Sequence, residues 1–184
     1  MKATAVAPSN IAFIKYWGKK DGGLRLPENG SISMNLSNLL TTTTVEFSSA
    51  LKDDDFELEG IRYANDSEKS LRVIKHLDRI RKLGGIDSYA KVVSSNNFPS
   101  GTGLSSSASG LAALTVAAAA AASLALSEKE LSILARKGSG SACRSIPDGF
   151  VETVKRQLVR IGLHHDAHHV AGGLVTCTGS TGCK

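Results

Sequence analysis

The chain has 184 residues, of which 41% are hydrophobic, 21% charged and 5% aromatic, and it carries a net charge of +5; these are the proportions of a globular domain long enough to bury a core. No run approaches the roughly 20 apolar residues of a membrane span and the N-terminus has no apolar signal core, so no membrane association is expected. The charges are interspersed and the aromatics few, which argues against nucleic acid and for an anionic small-molecule partner.

Taken in order, Lys2 to Ala7 reads as a short strand stopped by Pro8 and the turn formers Ser9 and Asn10. Lys15, Lys19 and Lys20 then fall beside Tyr16 and Trp17. These cations and a phenol hydroxyl suit a polyphosphate or carboxylate, and equally the solvated face of an amphipathic segment. Asp21-Gly22-Gly23 is a turn signal. Ser31 to Leu36 alternates as a strand, Thr41 to Phe47 is a second, β-branched one, and Phe56 to Tyr63 makes a hairpin around Gly60. The period then changes. Leu71, Ile74, Leu77, Ile80 and Leu83 recur at helical spacing from a cap at Asp66 or Ser67 to Gly84-Gly85, with His76 placed on the surface or boundary.

A strand from Ser88 to Ser95 leads into Asn97-Phe98-Pro99-Ser100-Gly101-Thr102-Gly103-Leu104-Ser105-Ser106-Ser107, and an alanine-rich helix follows. Unpaired N–H groups and the dipole at a helix start attract phosphate, the glycines admit close approach, and the hydroxyls reach phosphate oxygens or a metal. The same composition serves a flexible loop with a serine cap. The helix runs to about residue 123, and its small side chains place it inside the domain. Ser127 and Glu130 form a capping box for a helix over 128–138. Gly138-Ser139-Gly140-Ser141-Ala142-Cys143-Arg144 then sets two serines on glycine-flexed backbone before an arginine able to grip a carboxylate with two N–H groups. Cys143, Cys177 and Cys183 are unevenly spaced, which argues against a disulfide framework and for a reducing, cytoplasmic setting. Four of the five histidines, His164, His165, His168 and His169, crowd the tail, as transition-metal ligands or as a chance cluster.

The order Pro99, then Gly103-Leu104-Ser105-Ser106-Ser107-Ala108, resembles the phosphate loop of the GHMP small-molecule kinase superfamily. With Lys15-Tyr16-Trp17-Gly18-Lys19 and Ser139-Gly140-Ser141-Ala142-Cys143-Arg144-Ser145, residues 3 to 152 resemble the N-terminal half of the mevalonate diphosphate decarboxylase family. The resemblance implies an α+β, ribosomal-protein-S5-like N-terminal domain over residues 1–152, with the ferredoxin-like C-terminal domain missing and a divergent, disordered or frameshifted tail over 153–184. It implies a cytoplasmic enzyme that uses ATP and Mg²⁺ to decarboxylate mevalonate 5-diphosphate to isopentenyl diphosphate, with a homodimer left open. Lys15, Tyr16, Lys19, Ser139, Ser141 and Arg144 would bind substrate. Pro99, Ser100, Gly101, Thr102, Gly103, Leu104, Ser105, Ser106 and Ser107 would wrap the ATP phosphates, with Mg²⁺ on Ser106 or Ser107.

Two departures qualify these expectations. Glu28 stands where the family usually has threonine, adding negative charge near the expected diphosphate and leaving a mevalonate 5-phosphate decarboxylase or kinase as an alternative. The family's catalytic aspartate lies in an Asp-Ala-Gly-Pro-Asn motif, whereas Asp166-Ala167 is followed here by His168-His169, so that role has no residue in this chain. A non-catalytic ATP- or anion-binding remnant is therefore the other reading.

Overall fold

The computed structural model describes residues 1–15, 19–21, 26–27, 30–99, 103–154, 157–161 and 176–177, of which 19–21, 26–27, 154, 157–161 and 176–177 are described as backbone only. Tyr16, Ser100, Gly101, Thr102 and the four tail histidines lie outside the described residues, as does the side chain of Lys19.

The sheet is built around one long strand. Strand β4 (Ser31–Ser48) pairs along one edge with β1 (Lys2–Ile14), and its other edge is shared between two partners. The Thr41 to Ser48 end pairs with β7 (Tyr89–Asn96), and the Ser31 to Met34 end pairs with β8 (Phe150–Val154). β8 continues the sheet to β9 (Gln157–Ile161), β10 (Thr176–Cys177) adds to β1, and the hairpin β5 (Asp55–Leu58) and β6 (Ile61–Tyr63) extends it beyond β7. The β5–β7 pairing is parallel and the rest antiparallel, which makes the sheet mixed. A separate two-stranded ribbon joins β2 (Lys19–Asp21) to β3 (Leu26–Pro27).

Two expected strand ends are instead a bend. The chain does not stop at Pro8: β1 continues to Ile14, and Ser31 to Leu36 is one strand with Thr41 to Phe47. The register jumps between Pro8, opposite Leu40, and Ser9, opposite Leu36, so residues 37–39 bulge. Proline has no N–H to give a ladder, and it falls where the ladder is interrupted.

Among the described residues three helices pack against one another over the sheet. Helix α1 (Glu68–Gly84) starts on Ser67, whose hydroxyl accepts from Ser70 N at 3.2 Å, and ends on Gly85, which takes the left-handed φ of 62° that closes the last turn. Helix α2 (Ser106–Ala121) lies across β1 and β4 and is enclosed on nearly every side. Its Ala112, Ala113, Ala117 and Ala118 share the core with Ala3, Ala5 and Ala7, because small side chains let helix and sheet backbones approach. Helix α3 (Glu128–Gly138) carries the expected capping box, with Ser127 N donating to Glu130 Oε2 at 2.8 Å and Glu130 N to Ser127 Oγ at 3.3 Å.

His76 overturns its expected surface position. It is fully buried between α1 and α2, with Nε2 2.8 Å from Thr115 Oγ1. Thr115 donates to Leu111 O at 2.6 Å, so its oxygen accepts from the imidazole. The inward face of α1 therefore runs through Ser70, Val73, His76, Leu77 and Ile80, while Leu71 and Leu83 are exposed. Gly138 closes the packing: a Cβ there would lie 2.8 Å from His76 Nδ1 and 2.2 Å from Leu111 Cδ1.

Candidate functional site

The glycine- and serine-rich loop leaves the sheet at a fixed point. Asn97 N donates to Leu40 O at 3.0 Å, and Asn97 Oδ1 accepts from Leu40 N at 2.8 Å, which pins the loop base to the bulge of β4. Phe98 is buried and Pro99 exposed. Gly103 has φ 81°, a conformation that favours glycine, and Ser105 adopts the left-handed region at φ 56°. Ser105 occupies the N-cap of α2, but its side chain makes no cap hydrogen bond. Its carbonyl accepts from Ala108 N at 2.8 Å, and among the described residues the N–H groups of Ser106 and Ser107 have no acceptor. No acidic side chain stands in the first turn of α2. Free donors and an uncompensated helix dipole thus meet at Ser105 to Ser107.

Beside this helix start lies a cavity of about 420 Å³. Ser106 and Ser107 form part of its wall, Lys69 and Arg72 of α1 reach it, and Phe56 and Val92 give it an apolar flank. Lys69 donates to Tyr63 Oη at 2.9 Å and lies 4.6 Å from the centre of that ring. Behind the loop, Thr41 Oγ1 lies 2.7 Å from Ser109 Oγ and donates to Asn96 Oδ1 at 2.6 Å, tying α2 to the sheet.

The second cluster forms where α3 ends. A short 3-10 segment, Ala142–Ser145, follows Ser139 and Ser141, whose hydroxyls are 3.3 Å apart. Arg144 is buried and donates its Nε to Asn10 Oδ1 at 3.1 Å. Asn10 Nδ2 donates in turn to Ser145 Oγ at 2.8 Å and to Ser141 O at 3.2 Å. Asn10 therefore orients the arginine and anchors the segment that carries it. Among the described residues no hydrogen bond occupies the Arg144 Nη atoms. Burial pushes the Cys143 thiol up, while the charges of Arg144 and Arg136 pull it down, so the thiol stays neutral and packs as a small apolar group.

Strand β1 joins the two clusters. Ser9 and Asn10 are both buried, breaking the strand's alternation at its register jump. Ser9 Oγ donates to Leu104 O of the glycine- and serine-rich loop, and Asn10 holds Arg144. Ser139, Ser141 and Arg144 are thus brought together, and the loop that carries Gly103 to Ser107 is tied to the residue beside their anchor. Lys15 stands exposed just past the end of β1. Sequence reasoning missed Asn10, which reads as a turn former after proline, and Lys69 with Arg72, whose spacing of three on α1 was the available signal.

A family model described as the diphosphomevalonate decarboxylase-like N-terminal domain matches residues 7–160. That match passes the expected limit at Glu152 and takes in the β8–β9 hairpin. The diphosphomevalonate decarboxylase of Debaryomyces hansenii is 44% identical over 160 residues, covering 81% of this chain and 41% of that relative. The structure of mevalonate diphosphate decarboxylase from Enterococcus faecalis superposes with a TM-score of 0.82 at 43% identity, over 88% of this chain and 52% of that one. MDDEF in complex with MVAPP, AMPPCP and magnesium gives a TM-score of 0.79 at 40% identity, over 96% and 50%. The chain spans about two fifths of the length of the curated relative and about half of the solved chains.

Proposed function

The chain belongs to the diphosphomevalonate decarboxylase family through that family's N-terminal domain, and from this premise we propose that it carries the ATP-phosphate loop and the substrate-carboxylate site of an ATP-dependent decarboxylase. The substrate would be mevalonate 5-diphosphate and the product isopentenyl diphosphate. One observation carries the reading: neighbouring residues of β1, Ser9 and Asn10, tie the loop at α2 and the buried Arg144 to a single strand. Phosphoryl transfer is catalysed chiefly by positioning and charge stabilisation, and that linkage would hold the proposed phosphate site at a set distance from the proposed carboxylate site.

Arg144 would hold the substrate carboxylate through its Nη atoms, with the Ser139 and Ser141 hydroxyls beside it. Tyr16 and Lys19 would hold the diphosphate end, with Lys15 close to the reacting centre and the phosphates. The loop from Pro99 to Ser107 would wrap the nucleotide phosphates, and the adjoining cavity would take the rest of the nucleotide between Lys69, Arg72 and the apolar flank. Mg²⁺ keeps several waters and binds by one or two protein oxygens together with phosphates. The Ser106 and Ser107 hydroxyls suit that sparse demand, and among the described residues no group of three or more acidic, histidine or cysteine side chains forms a dedicated cation cage. Bound there, Mg²⁺ would neutralise phosphate charge. Phosphorylation of the tertiary 3-hydroxyl turns it into a leaving group, and loss of CO₂ supplies the electrons as the phosphate departs.

The hydroxyl also needs a base or charge partner, and the chain has no Asp-Ala-Gly-Pro-Asn motif to supply the family's aspartate. For this chain on its own, that favours nucleotide and substrate binding without turnover. A coupled assay for ADP and CO₂ with mevalonate 5-diphosphate tests it. Silence is expected alongside substrate binding by calorimetry that Arg144→Lys weakens, because lysine cannot reproduce the two-pronged grip. Robust turnover, or substrate affinity untouched by Arg144→Lys, would contradict the assignment.

A further inference from the structure

The turn between β5 and β6 breaks a local rule. Leu58 pairs with Ile61, which leaves Glu59 and Gly60 as a two-residue turn, and both take left-handed φ, 55° and 74°. Glycine adopts such a φ freely and asparagine or aspartate is the usual residue before it, whereas a glutamate there is strained. Strain of this kind persists where the surrounding structure over-determines it, and it clusters at ligand sites.

Glu59 holds the strand that leads into the glycine- and serine-rich loop. Its N–H donates to Ser94 O at 3.0 Å, and its Oε1 accepts from Asn96 N at 2.6 Å. The side chain of glutamate makes this reach, and asparagine and aspartate are one methylene shorter. Asn96 Oδ1 accepts in turn from Thr41 Oγ1 at 2.6 Å, and Thr41 Oγ1 lies 2.7 Å from Ser109 Oγ in the first turn of α2. Asn96 on one side of the loop and Ser109 on the other are thus joined through Thr41. Glu59 fixes the backbone of the first of them. It also follows Leu58, which lines the cavity beside the loop together with Asn96, so one side chain ties two walls of that cavity. Among the described residues three non-glycines have positive φ, and two of them, Glu59 and Ser105, act at opposite ends of this loop.

We propose that Glu59 is a positioning residue for the nucleotide phosphates, acting through Asn96: its carboxylate sets where β7 ends and so holds the closure of the loop that presents the Ser106 and Ser107 N–H groups. The inference rests on the nucleotide reading of that loop. Donors held in place before a ligand arrives need no ordering when it binds, so a fixed closure is read as affinity. Glu59 itself is exposed, and one exposed hydrogen bond set against a strained turn adds little net stability to the fold. The role needs reach and an acceptor oxygen, and an amide oxygen on a side chain of the same length supplies both.

Calorimetric titration of Mg-ATP into the whole chain, with Tm measured on the same samples, tests it in the wild type, Glu59→Gln and Glu59→Asn. Glu59→Gln keeps the reach without the charge and should bind no more weakly than the wild type. Glu59→Asn relieves the turn but falls short of Asn96 N. Its affinity should be about fivefold weaker than that of Glu59→Gln, the loss of one hydrogen bond, with Tm within about 3 °C of the wild type. The inference is overturned if Glu59→Asn binds as tightly as Glu59→Gln, whether both match the wild type or both fall below it. It is also overturned if Glu59→Asn lowers Tm beyond that margin, which would make Glu59 a general support of the fold. A folded wild-type chain that binds no Mg-ATP overturns the nucleotide reading and this inference with it, whereas wild-type binding that Glu59→Asn leaves intact overturns this inference alone.

Discussion

His76 shows how much one buried side chain can decide. Burial, with the neighbouring Arg79 and Arg72 charges, lowers its pKa from 6.5 to about 3. The folded pKa lies below the unfolded one, so the stabilising form is the neutral ring and its contribution is complete above about pH 6.5. As pH falls from there towards 3, the unfolded chain takes up a proton that the folded one refuses, costing about 1.4 kcal/mol per pH unit from this group alone. Urea unfolding between pH 7 and 4 should show the wild type losing stability more steeply than His76→Gln by close to one proton, and parallel slopes would refute the buried neutral imidazole. Gly138→Ala is expected to cost about 1–3 kcal/mol, because Thr115 holds the ring that the new methyl would strike. An unchanged urea midpoint would contradict that packing. Neither role was legible in the sequence. A lone histidine among arginines and lysines on a helix looks solvated, and its burial depends on a threonine and a glycine remote in sequence.

At the scale of elements, local chemistry reads well and strand ends do not. The capping box at Ser127 and the left-handed Gly85 fix helix ends through neighbours a few residues away, so both follow from the sequence. The strand through Pro8 was hidden because proline interrupts a ladder only where its missing N–H is needed, and pairing with the bulged β4 removes that need. Helix α2 was readable from its alanines as an inner helix, and its enclosure follows from the same residues. Ala117 is fully buried, so Ala117→Leu should overpack the helix–sheet interface and cost about 1–3 kcal/mol. The urea midpoint should fall with an unchanged m-value; a midpoint within error of the wild type would mean that α2 is not clamped as described.

For the whole molecule, the bend in β1 and β4 organises the site. It turns Ser9 and Asn10 inward together, so one strand reaches both the loop before α2 and the arginine after α3. The sequence showed each cluster through its residue types, glycines with serines in one and serines with an arginine in the other. It did not show their junction, because the contacts join residues 9 and 104 and residues 10 and 144, separations that no local pattern encodes. The cavity beside the loop was hidden for the same reason, since α1, α2 and the sheet each supply part of its wall. The central claim is that this chain holds Mg-ATP at the start of α2, and calorimetric titration of Mg-ATP into the folded chain tests it most directly. One nucleotide should bind per chain, and Ser106→Ala combined with Ser107→Ala should weaken it by tenfold or more, as expected for about 1.4 kcal/mol of lost phosphate contacts. A folded wild-type chain that gives no binding heat, or a double variant that binds as tightly, would contradict the claim.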